Sequence, residues 1–161
     1  TCIDEEGGGM NEINRIVCRY KLVSEPLEAR EAEKIVNSEE IYDFLISDVF
    51  DKETIDVTES FYAVFLNSDN RVKGFIKVSE GGVNRTTVDA KVIFSAALKC
   101  LATAVVFAHN HPSGNPCPSE QDKELTKKLV AGAKVLDIIP IDHVIVTGNG
   151  CYYSFRDYGL I

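Results

Sequence analysis

Two of the chain's three histidines, His109 and His111, are separated by one residue, and an acid follows at Asp122, three positions after Ser119. Just ahead of them, residues 103–108 form a short apolar, β-branched run that reads as a buried strand. Side chains at i and i+2 of a strand point the same way, so the two imidazoles can converge where the strand ends. Imidazole nitrogens and carboxylate oxygens suit zinc, which takes four ligands in a tetrahedron. His109, His111 and Asp122 would supply three ligands and leave the fourth position to water, as in a catalytic rather than a structural site. A plainer reading stands beside this one. Ser119 and Asp122 also fit a capping box, a hydroxyl residue with an acid three positions on, ahead of an amphipathic run. The two uses are compatible, because a helix start can face a metal. The Ser119 hydroxyl can cap the helix or donate to the oxyanion of a tetrahedral intermediate.

Other chemistries fit less well. Cys117 and His111 would make a thiol nucleophile and base, but no third, orienting group is evident. His143, next to Asp142, reads as structural. Zinc nucleobase deaminases carry His-x-Glu and Pro-Cys-x-x-Cys. Here Pro116-Cys117 is present, Glu120 stands where the second Cys belongs, and His-x-Glu is missing. The His-Glu-x-x-His string of another zinc-protease class is also absent.

The pattern His-x-His-Pro-x6-Ser-x2-Asp resembles the JAB/MPN (JAMM) metalloprotease signature. Its form here, His-Asn-His-Pro-Ser-Gly followed by Pro-Ser-x-x-Asp, resembles the RadC branch. Residues 59–67, 71–80, 88–94 and the ending Leu136-Asp137…Asp142-His143-Val144-Ile145-Val146 read like RadC segments in RadC order. The resemblance covers roughly residues 38–161. It implies an α/β fold, a cytidine-deaminase-like mixed β-sheet flanked by helices. It implies Zn2+ and hydrolysis of an amide, peptide or isopeptide, in a peptide or protein substrate. It also implies a role for Glu59, matching an upstream glutamate that holds the catalytic water. Read alone, Glu59 is an ordinary acid before a strand. RadC proteins usually carry an N-terminal helix-hairpin-helix that would bind DNA. None is legible here, so direct DNA binding by this chain is not expected. The rival expectation is a non-catalytic accessory module associated with DNA repair or mobile-element machinery.

Composition sets the outer limits. A chain of 161 residues, 45% hydrophobic, suits one domain with one core. No apolar run is long enough for a membrane span and no signal peptide is evident. Five cysteines at irregular spacing suggest free thiols in a reducing cytoplasm, not a disulfide framework. Residues 1–60 hold 16 acids and 6 bases, a balance of −10, whereas the rest hold 9 acids and 11 bases, a balance of +2. The nearest basic cluster, Lys123, Lys127, Lys128 and Lys134, reads as a solvated helix face with Glu124 paired to Lys128. A nucleic-acid footprint is therefore weak.

The elements that must position the site follow from pattern. Residues 1–9 are acidic and glycine-rich, and read as a flexible, appended segment ahead of a native start at Met10. Residues 10–37 form an N-terminal arm, with weak strand alternation over 16–23 broken at Glu25-Pro26. The RadC-like JAB/MPN domain then spans 38–161. Ile41, Phe44, Leu45 and Val49 make a helical stripe opened by Ser38. Residues 61–67 and 72–78 make a hairpin around Ser68-Asp69-Asn70, and Gly81-Gly82 begins a polar loop. Asp89 caps a helix over 90–101 with Val92, Ala96, Ala97 and Cys100 among its inward positions. A third helix over 119–135 turns Leu125, Leu129 and Ala133 inward, and Gly148-Asn149-Gly150 turns a last hairpin of 144–147 with 151–155. Pro112, Pro116 and Pro118 stiffen the site loop, where Gly114 permits a tight turn.

Overall fold

The computed structural model describes residues 32–81 and 88–161. The expectations for residues 1–9, for the strand over 16–23 and for most of the loop after Gly81 lie outside the described residues. Helix α1 (Ser38–Phe44) runs on into a π-helical turn, Leu45–Val49. Strands β1 (Ser60–Leu66) and β2 (Val72–Glu80) form the first hairpin. Helix α2 (Ala90–Lys99), strand β3 (Ala104–Asn110) and helix α3 (Glu120–Val135) follow. Strands β4 (Ile139–Val146) and β5 (Tyr152–Ser154) close the chain. The five strands make one sheet in the order β2-β1-β3-β4-β5, with β3 and β4 parallel and the other pairs antiparallel. This is the mixed, helix-flanked α/β sheet that the sequence leads one to expect.

The central strands β1 and β3 are buried along their whole length, because helices cover both faces. Their side chains still alternate. Tyr62, Val64, Leu66, Val106 and Ala108 pack under α1 with Ile41, Phe44 and Leu45. Phe61, Ala63, Phe65, Val105 and Phe107 pack under α2 and α3 with Ile93, Ala97, Leu129 and Ala133. The period of two carries into the site. Odd-numbered positions of β3 face α3, and even-numbered ones face the α1 side.

Several local expectations shift. Helix α1 is capped by Asn37, whose side chain accepts from the Glu40 amide, so Ser38 is its first helical residue rather than its opener. In α2 the residues facing the sheet are Ile93 and Ala97, one turn apart, while Val92 is 42% exposed. Strand β4 starts at Ile139, earlier than the apolar run at 144–147 suggests. Pro140 lies within it, and the register slips by one residue between Val105 and Val106, so a bulge absorbs the proline. His143 consequently sits mid-strand, opposite Phe107, and not at a strand start.

Candidate metal centre

Strand β3 delivers His109 on its α3 side, and His111 follows just beyond the strand end, its amide bonded to the Val146 carbonyl at 3.0 Å. Helix α3 begins against them. Ser119 is its N-cap, and both halves of the capping box form. The Ser119 hydroxyl accepts from the Asp122 amide at 3.2 Å, and the Ser119 amide donates to Asp122 Oδ2 at 2.7 Å. The capping box holds Asp122 in the first turn, aimed at the two imidazoles.

The three side chains meet. His109 Nε2 lies 3.0 Å from His111 Nε2 and 3.3 Å from Asp122 Oδ1, and His111 Nε2 lies 3.6 Å from Asp122 Oδ2. Among the described residues this is the group of histidine and carboxylate side chains able to hold a metal ion. The spacing fits a metal. Four ligands on bonds of about 2.0–2.1 Å in a tetrahedron stand about 3.3 Å apart. The donor chemistry fits too. His111 Nδ1 faces the Asn115 carbonyl at 2.8 Å and must donate to it, so in the neutral ring Nε2 is a bare lone pair. A bare nitrogen, a second imidazole nitrogen and a carboxylate at van der Waals distance call for a positive charge between them.

Electrostatics agree. Burial pushes the Asp122 carboxyl up, but the pull of the His109 and His111 rings in their protonated forms, with the Ser119 hydroxyl, outweighs it and holds the group far below the usual carboxylate range. Burial lowers His111, but Asp122 and the Asn115 carbonyl outweigh it, leaving the ring above its ordinary value. His143 is driven well below the ordinary histidine value by full burial.

Glu59, Ser119 and the three convergent residues line one cleft of about 720 Å³, walled on its apolar side by Phe61, Val88 and Leu125. The structure therefore places all five residues singled out in the sequence around one cavity. Glu59 enters from the segment before β1, close enough for its charge to raise His111. That segment is held by Asn110, which sequence reasoning missed. Its side chain points to the opposite face of β3 from His109. Nδ2 donates to the carbonyls of Ile55 at 2.6 Å and Thr58 at 2.8 Å, and Oδ1 accepts from the Ser60 amide at 2.7 Å. The signal was a polar residue at a strand position whose partner face had to be buried. Thr126, on α3 one turn past Asp122, was also missed, although the i,i+4 spacing places both on one helix face. The loop between the histidines and α3 turns at Gly114, with φ of 78°, and Asn149 donates to the Gly114 carbonyl at 3.1 Å. Gly148 leaves room for Asp56, another cleft residue, since a Cβ there would stand 2.1 Å from Asp56 Oδ1.

Cys117 is exposed, and its amide bonds to the Asn115 side chain. His143 is buried behind His109 and lies outside the cleft lining. No helix among the described residues is long and apolar enough to cross a membrane.

Comparison with known proteins agrees with the geometry. The family model described as RadC-like JAB domain matches residues 35–160. A UPF0758 protein of Trichlorobacter lovleyi is 36% identical over 129 residues, covering 80% of this chain and 54% of the relative. One from Pasteurella multocida is 38% identical over 141 residues, 88% of this chain and 60% of the relative. One from Symbiobacterium thermophilum is 43% identical over 103 residues, 64% and 44% of the two chains. The chain thus spans about half the length of the curated relatives it matches. On the family match and these identities, the chain belongs to the RadC-like JAB domain family.

Proposed function

We propose that this domain is a zinc-dependent hydrolase of the JAMM type, cleaving a peptide or isopeptide amide with His109, His111 and Asp122 as metal ligands. The observation that carries this reading is the convergence of two imidazole nitrogens and a carboxylate at 3.0–3.6 Å in a cleft that Glu59 and Ser119 also line. A zinc ion there would supply Lewis acidity and bring the pKa of a water near neutrality. Glu59 stands outside the ligand set. Its carboxylate would accept a proton from the attacking water and return it to the leaving nitrogen. The Ser119 hydroxyl donates to Asp122 Oδ2 at 2.6 Å. To stabilise an oxyanion it would swing away, while the Ser119 amide keeps its own bond to the carboxylate. Phe61, Val88 and Leu125 would seat the substrate and exclude water. Free Cys100, Cys117 and Cys151 suit a cytoplasmic setting.

The test is Glu59→Gln, assayed for metal and for turnover across a library of peptide and isopeptide amides. Gln keeps the shape of Glu but cannot accept a proton at neutral pH. Both proteins should hold about one zinc per chain. The variant should lose about a hundred- to ten-thousandfold in rate. Turnover within about threefold of wild type, well short of that range, would remove Glu59 from the mechanism. Tight zinc binding with no amide turnover in either protein would favour the accessory-module reading.

A further inference from the structure

Thr126 and His143 lie outside the ligand set, yet they tie two of its members together. Thr126 is 1% exposed on α3, one turn beyond Asp122. Its hydroxyl oxygen lies 2.6 Å from the Asp122 carbonyl oxygen and 2.6 Å from His143 Nδ1. A carbonyl only accepts, so the single hydroxyl proton goes to Asp122. The hydroxyl oxygen must then accept from His143, and the proton of that ring sits on Nδ1. His143 is fully buried. Phe155 stacks on it at 4.8 Å, and Phe61 and Phe107 meet it edge-on. Among the described residues its ring hydrogen-bonds Thr126 and His109 and no carboxylate, and a second proton would place a charge in this buried, aromatic-walled position. In the neutral ring Nε2 is a lone pair. It lies 2.8 Å from His109 Nδ1 and can only accept from it. The His109 proton is therefore on Nδ1, and His109 Nε2 is bare where it faces His111 and Asp122.

We propose that Thr126 and His143 are positioning residues that lock the tautomer of His109, so that its Nε2 is presented as a metal ligand before any metal arrives. The inference rests on the metal-centre reading above and deepens it. The chain of bonds starts at the Asp122 backbone carbonyl and runs through Thr126 and His143 to His109, whose bare Nε2 faces the Asp122 carboxylate at 3.3 Å. It joins α3, β4 and β3, so the helix that contributes one ligand also sets the protonation of another. Without the Thr126 hydroxyl, His143 Nδ1–H loses its buried acceptor. Its proton can then move to Nε2, His109 Nδ1 becomes the acceptor, and the His109 proton moves onto the nitrogen that must bind metal. Hydrogen-bond partners behind a ligating histidine commonly fix its ring and tautomer in this way.

The experiment uses the full chain stripped of metal. Zinc affinity is measured by competition with a chromophoric chelator for wild type, Thr126→Val and Thr126→Ser. Long-range proton–nitrogen NMR at about pH 8, above the ordinary histidine range of about 6.5, reads the proton position on each imidazole. Valine keeps the shape of threonine and removes the hydroxyl, whereas serine restores it. The Val variant should bind zinc about 10- to 100-fold more weakly. The Ser variant should stay within about threefold of wild type, well inside that range. In the metal-free wild type, His109 should carry its proton on Nδ1, and in the Val variant on Nε2. Zinc affinity of the Val variant within about twofold of wild type, against the 10- to 100-fold expected, overturns the proposal. So does a proton on His109 Nε2 in the metal-free wild type. If the Val variant does not fold, the tautomers of wild type and the Ser variant decide. If the wild type takes up no zinc, the hydrolase reading fails by itself. The lock is then judged by the His109 tautomer, upheld by a proton on Nδ1 and overturned by one on Nε2.

Discussion

Asn110 offers the sharpest test of how the site is assembled. It is fully buried, and its amide fills three bonds to the segment that carries Glu59: donors to the Ile55 and Thr58 carbonyls and an acceptor for the Ser60 amide. Asn110→Ala leaves two carbonyls and one N–H without partners. A buried polar group left unpaired costs about 1–3 kcal/mol, and water entering the space of the lost side chain would offset part of this. A loss of about 3 kcal/mol follows, a large share of the roughly 5–15 kcal/mol of an ordinary domain, yet short of unfolding it. Urea denaturation of metal-free protein measures the loss from the shift in midpoint at constant slope. Amide hydrogen exchange at Ser60 should quicken together with that of its neighbours. Zinc affinity should stay within a few fold of wild type, because His109 and His111 project from the other side of the strand. Asn110→Asp serves as a second variant. It keeps an acceptor for Ser60 but sets an oxygen against two carbonyls, so it should be at least as damaging as alanine. A loss under about 1 kcal/mol in both variants, less than one unpaired group should cost, would refute the claim that Asn110 pins the Glu59 segment. So would unchanged protection of the Ser60 amide.

Asp122→Asn keeps much of the capping geometry but removes the anion. Zinc affinity should drop at least about tenfold while stability changes by about the 1 kcal/mol of a cap, measured by chelator competition and urea melts. Zinc affinity should also fall with acid. His111 binds its proton more tightly than an ordinary histidine, so proton and metal compete for the same nitrogen. Affinity should rise as pH increases through and somewhat above the ordinary histidine range of about 6.5, then level off. A flat profile across that range in zinc titrations would count against His111 as a ligand. With an acidic N-terminal third and a near-neutral remainder, the chain should bind duplex DNA weakly and without sequence preference at about 0.15 M salt, where surface charge is well screened. Tight, selective binding in a fluorescence anisotropy titration would contradict this.

Much of the fold was legible because its signals are local. The run before His109 is apolar and β-branched, and period two alone places His109 and His111 on one side of their strand. Ser119 and Asp122 announce a helix start by their spacing, and the capping box forms as that spacing requires. Asn149-Gly150 marks the last turn, where Gly150 takes φ of 88°. Boundaries were less legible where two local signals compete. Asn37 and Ser38 are both good caps, and chain geometry chose the first. Pro140 argues against a strand, and only pairing with β3 through a bulge shows that β4 begins before it.

The sequence by itself determined the ligand types, their spacing and the local elements that carry them, since helical and strand periods, caps and turns are written within a few residues. Tertiary structure alone decided which of those residues meet. Asp122 reaches the histidines because α3 packs across β3 through Leu129 and Ala133. Glu59 shares their cleft because β1 pairs antiparallel with β3, Phe61 opposite His109, and Asn110 ties down the turn before it. His143 backs His109 because the parallel register of β3 and β4 sets His143 opposite Phe107, on the same face as His109 and diagonal to it. Each of these contacts joins residues 13 to 50 positions apart through strand register and helix packing; the alternating pattern fixes which face a side chain takes, but for strands not joined by a tight turn it does not fix which residue stands opposite.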